Sequence, residues 1–193
     1  MTASFQGISE RYGFLELATR VDKATLCQLM MQGKAPEFSD LVGWEYAGIN
    51  TAAAAHWFGF GKFKKGFYQG VPRVSHGPEP YIQGYNVVVH QNGLKEPHRA
   101  MPDEDHPKRH GFFRVHAVVS GARDARYPNA LLLDYGLGRN GLLPSAVLRD
   151  YVVQVYEDDA SLLLGEADLA LGPLRIPAGF FVLNRQNRHN FKG

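Results

Sequence analysis

The chain has 193 residues, 45% of them hydrophobic and 21% charged, with a formal net charge of +2. Those values fit one globular domain with its own core and exclude global disorder. The near-neutral charge gives no electrostatic case for nucleic acid, and the single Cys27 excludes an internal disulfide and a thiol metal cluster.

Residues 1–7 show no basic stretch leading into an apolar core, and no apolar run approaches the roughly 20 residues of a membrane helix. A cytoplasmic protein without a transmembrane segment is therefore expected. Phe14, Leu17, Val21, Leu26, Leu29 and Met30 recur near helical spacing, and Gly33 and Pro36 supply a stop. One helix is expected over 14–32, covering an end or a face of a sheet, with Cys27 as a buried, inert thiol. Residues 41–49 read as an aromatic-rich first strand. Asn50 or Thr51 then caps a short alanine-rich helix through His56, Trp57 and Phe58.

Residues 59–68 alternate aromatic residues with glycine and lysine, which predicts a loop and then a strand. Lys62, Lys64 and Lys65 interleaved with Phe60, Phe63 and Phe67 could favour single-stranded nucleic acid or an anionic surface. The simpler reading packs the aromatics inward and solvates the lysines, since no other basic field accompanies them. Residues 81–90 form a further strand, followed by a turn at Gln91-Asn92-Gly93. Residues 95–109 are polar and proline-rich, and read as an exposed loop. Strands follow near 110–120, 130–135, 147–157, 161–171 and 178–185. Short strands separated by glycine, proline and Asn-Gly turns imply a closed or nearly closed antiparallel sheet, which can enclose a ligand cavity.

Several polar groups invite a chemical reading. His98, His106 and His110 accompany Asp103, Glu104 and Asp105, but their spacings match no compact ligand motif, so a solvated loop without metal is expected. Alternation puts Arg114 and His116 opposite Phe113, Val115, Ala117 and Val119. They face either water or a polar-lined cavity. An imidazole could ligate haem, but nothing singles one out, and no cofactor is expected. Asp134 and Tyr135 end a hydrophobic strand before a glycine-rich loop that starts no helix, a weak phosphate cradle. Glu166 and Asp168 share a strand face, either as a surface pair met by Arg149 or Arg185, or as an acid–base pair. Arg149 and Asp150 are adjacent in one strand, so one of them must point to the apolar face or a cavity.

Two stretches carry a resemblance to a known family. The first is Leu41-Val42-Gly43-Trp44-Glu45-Tyr46-Ala47-Gly48, followed by Gly61-Lys62-Phe63-Lys64-Lys65-Gly66-Phe67. The second runs from Asn129 to Gly136 through Leu148-Arg149-Asp150-Tyr151, Leu164-Gly165-Glu166-Ala167 and Phe180-Phe181-Val182-Leu183-Asn184-Arg185. Together they span roughly half the chain, and they resemble lipocalin-like (calycin-type) barrels and, more narrowly, the GXWXG-type bacterial proteins of unknown function. The resemblance implies a fold and a small-molecule cavity, with no established reaction.

The expected protein is mainly β, a single lipocalin-like domain over 1–193. Residues 1–36 form an N-terminal helical segment and 41–185 the barrel, with a short helix after the first strand. Its expected partner is a small hydrophobic molecule, lipid-, fatty-acid- or tetrapyrrole-like, whose acid group an inward arginine would engage. The expected cavity residues are Trp44, Tyr46, Trp57, Phe63, Tyr85, His116, Tyr135, Arg149 and Tyr151. A homodimer is allowed for. The alternatives are a small-barrel isomerase, cyclase or lyase using tyrosine, histidine or carboxylate, and an interaction module with a filled barrel.

Overall fold

Period-two patterning decides the architecture. In the strand Arg109–Ala117, Phe113 and Val115 are buried while Arg114 and His116 alternate with them at partial exposure. A computed structural model describes residues 10–57, 59–70, 81–141 and 144–193. The strands are β1 (Trp44–Asn50), β2 (Lys62–Gln69), β3 (Ile82–Val87), β4 (Arg109–Ala117), β5 (Leu131–Asp134), β6 (Leu148–Tyr156), β7 (Asp159–Leu171) and β8 (Leu174–Arg188). These eight strands close an antiparallel barrel, each pairing with its sequence neighbours and β8 returning to β1. Closure leaves no edge strand among the described residues. The architecture is consistent with the lipocalin-like expectation.

The helices are α1 (Phe14–Thr19), α2 (Lys23–Gln32), α3 (Phe38–Leu41) and α4 (Ala53–Trp57). The single helix expected over 14–32 is thus two. The break falls at Asp22, whose carboxylate accepts the Thr25 N–H at 2.8 Å and caps a new helix. No helix among the described residues is long and apolar enough to cross a membrane. Phe58 and the leader-free reading of residues 1–7 lie outside the described residues.

The two larger cores lie on opposite sides of the sheet. Inside the barrel, Tyr46, Phe67, Phe113, Val115, Leu131, Leu133, Val152, Leu163, Phe181 and Leu183 pack together with Leu41 of α3. Outside it, Leu17, Leu26, Leu29 and Met30 of α1 and α2 cover Ile49, Leu132, Tyr151, Val153, Leu162, Leu164, Phe180 and Val182. Strands β5 to β8 are therefore apolar on both faces, which explains runs such as Leu162-Leu163-Leu164 and Phe180-Phe181-Val182-Leu183. Inside, Gly48 and Gly165 make room for aromatic rings. A Cβ at Gly48 would lie 2.4 Å from Phe63, and one at Gly165 would lie 2.1 Å from Phe181.

The lysines of β2 correct the sequence reading. Lys62, Lys64 and Lys65 are all buried rather than solvated. The Lys62 ammonium donates to Asn92 Oδ1 and to the Gly93 and Glu96 carbonyls at 2.7–2.9 Å. Lys64 donates to Glu104 Oε2 at 2.8 Å. Both tie the irregular segment after β3 onto the barrel. Their charges meet loop oxygens, so burial leaves no unpaired ammonium. That loop is mostly exposed, as expected, but His98 is buried, with Nε2 3.0 Å from the Gly48 carbonyl.

Candidate functional site

A cavity of about 290 Å³ opens inside the barrel at the end where β1 leads into α4. Phe63, Val87, Val89, Ala167 and Phe181 give it apolar walls, with Asn50, Phe60, Gln91 and His110 also on its lining. Its polar part is built by three strands and one turn. Lys65 comes from β2, Asn86 from β3 and Asp150 from β6, while Tyr135 begins the 3-10 turn after β5. Register brings them together, since Lys65 lies opposite both Tyr46 and Asn86, and Asp150 opposite Leu133 and Ala167.

The Lys65 ammonium donates to Tyr135 Oη at 2.6 Å, Asn86 Oδ1 at 3.0 Å and Asp150 Oδ2 at 3.1 Å. Four aromatic rings surround it, with centroids at 4.8 Å for Phe113, 5.2 Å for Tyr135, 5.3 Å for Phe181 and 5.5 Å for Phe63. Tyr135 in turn donates to Asp150 Oδ2 at 3.0 Å and accepts from Asn86 Nδ2 at 3.0 Å. Burial lowers the Lys65 pKa, while the Asp150 carboxylate pulls it the other way. The Tyr135 hydroxyl is held well above its ordinary range, first by burial and then by the Asp150 charge. One group of the site remains unmet: Asp150 Oδ1 is buried with no hydrogen-bond partner among the described residues. A carboxylate oxygen in that position has a strong demand for a donor.

The expected cavity residues divide sharply. Phe63 and Tyr135 line the cavity. Tyr46 lies inside the barrel but toward its other end, where its hydroxyl and Arg185 both donate to the Asp40 carbonyl of α3. Trp44 lies near that end too, with Arg185 and Arg188 guanidinium groups 4.9 Å and 3.9 Å from its ring. Trp57 is 89% exposed on α4. Tyr85 packs outside the barrel and donates to Glu45 Oε1 at 2.9 Å. His116 faces outward beside its neighbour Leu132, with Nδ1 near the Ala117 carbonyl. Tyr151 is buried in the outer core under the helices, which push its hydroxyl up to about 12 through burial.

Arg149 also faces outward, its Nη1 3.1 Å from Asp134 Oδ1. An inward arginine is therefore replaced by an inward carboxylate, because the barrel closes around the face of β6 that carries Asp150, and alternation then sends Arg149 outward. Glu166 and Asp168 are likewise on the outer face, but they are buried instead of forming a surface pair, and they meet Arg126 of the β4–β5 connection at 3.1 and 2.7 Å, not Arg149 or Arg185. A long-range loop contact of that kind leaves no trace in local spacing.

Sequence reasoning missed Lys65, Asn86, Asp150 and Phe181 as cavity residues. The signal for Lys65 was its alternation with Phe63 and Phe67, which places all three on one strand face. Among the described residues, no group of three His, Cys, Asp or Glu side chains converges to hold a metal ion. No known protein family, characterised protein or solved structure matches this chain.

Proposed function

We propose that the barrel binds a small, mainly apolar molecule whose hydrogen-bond donor engages Asp150 Oδ1. The supporting observation is that unpartnered, buried oxygen on an otherwise apolar-walled cavity. Phe63 and Phe181 would supply contact area, and Tyr135 with Asn86 would fix the carboxylate that orients the ligand. Lys65 and Asp150 offset each other's charge, which favours an uncharged ligand over a fatty acid. A cavity of about 290 Å³ also argues for a container over a filled barrel. Kinship with the GXWXG-type proteins rests on the quoted motifs alone.

Native mass spectrometry of the purified protein, followed by organic extraction, should release a retained neutral compound. Added naphthylmethanol should raise the melting temperature of the stripped protein. Ala167→Phe, which fills the lining, should weaken that binding by about tenfold or more while costing about 1–3 kcal/mol of stability through overpacking. Naphthylmethanol binding that is unaffected by the filled cavity would remove the barrel interior as the site.

A further inference from the structure

Two lysines border the cavity, and they differ in what their amines can reach. The Lys62 ammonium is spent on Asn92, Gly93 and Glu96 of the loop. The Lys65 amine instead sits among the ligand-facing groups, between Tyr135 Oη and Asp150 Oδ2. The geometry points to Lys65 as a covalent anchor that captures an aldehyde or ketone as a protonated imine, an inference that rests on the cavity being a ligand site.

A lysine becomes nucleophilic when a neighbouring base relieves it of a proton in a poorly solvated setting. Lys65 passes one proton to Asp150 Oδ2, 3.1 Å away. Its freed lone pair attacks the carbonyl carbon, forming the C–N bond as the C=O π pair moves onto oxygen. Asp150 delivers its proton to that oxygen and removes one from the nitrogen, giving a neutral carbinolamine. The same carboxyl then protonates the departing hydroxyl, which leaves as water while the nitrogen lone pair closes the C=N bond. Tyr135 Oη, 2.6 Å from the amine and 3.0 Å from Asp150 Oδ2, bridges the two groups for the protons that pass between nitrogen and carboxyl.

The charge balance favours this end state. One ammonium and one carbonyl become one iminium and one water, so the site holds a single positive charge beside Asp150 before and after. Phe63, Phe113, Tyr135 and Phe181, whose rings surround the ammonium, then face an iminium of the same charge. The carbonyl compound's apolar body occupies the cavity that Phe63 and Phe181 line.

The experiment treats the full chain with naphthaldehyde and cyanoborohydride, and follows naphthylmethanol binding in parallel. Peptide mapping should place one reduced adduct on Lys65, formed at least about tenfold faster than on the exposed Lys23, Lys95 or Lys108. Asp150→Asn should slow that trapping by about tenfold or more. Naphthylmethanol binding together with adducts only on exposed lysines overturns the imine and leaves the cavity reading standing. Neither binding nor trapping overturns both.

Discussion

A charged pair enclosed by a barrel is held together by what replaces water around it. Asp150 Oδ2 accepts from both Lys65 and Tyr135, and Asn86 completes the lysine's set of acceptors. Removing one partner is predicted to cost far more than removing both. Asp150→Ala should destabilise the protein by about 3–5 kcal/mol in urea titration, because a buried ammonium loses its counter-charge. The double change Lys65→Met with Asp150→Leu should recover most of that loss.

His98 gives a second residue-scale prediction. Burial pulls its pKa down to about 4 despite the opposing Gly48 carbonyl, with Lys62 and Lys64 adding to the shift. The imidazole is neutral in the folded state, whereas the unfolded chain takes up a proton near the ordinary value of 6.5. Its contribution is therefore fully present above that value and is lost as pH falls toward 4, about 3 kcal/mol in all. His98→Gln should flatten this part of the stability profile between pH 6.5 and 4. An unchanged slope would remove His98 as its source.

At the scale of elements, α1 and α2 act as a second wall against β5 to β8. Met30 is fully buried against that face, so Met30→Ala should cost about 2–5 kcal/mol with no direct change at the cavity. The strand series was legible from turns and alternation, and β6 and β7 fall within a few residues of their expected bounds. The helical break was not separated from the pattern around it, because apolar spacing continues through Asp22 and only the Thr25 contact shows the cap. Tyr151 was placed wrongly relative to the barrel wall for a related reason: a helical layer makes the outside of the strand as apolar as its inside.

At the scale of the whole molecule, one end of the barrel is occupied by Arg185, Tyr46 and α3, and the cavity opens at the other. A ligand held only by the folded barrel should add about 2.7 kcal/mol of stability at roughly 100 times its Kd, measurable as a concentration-dependent melting temperature. The sequence alone determined a mainly β chain of short antiparallel strands, and it showed that Arg149 and Asp150 must face opposite ways. Alternation sorts side chains into two faces without saying which face is enclosed. The usual tie-breaker, hydrophobicity, fails here because helices bury the outer face of β5 to β8 as well. Only closure of the barrel turned Asp150 inward and Arg149 outward, and only the register of β2 against β3 and β1 set Lys65 inside to meet it.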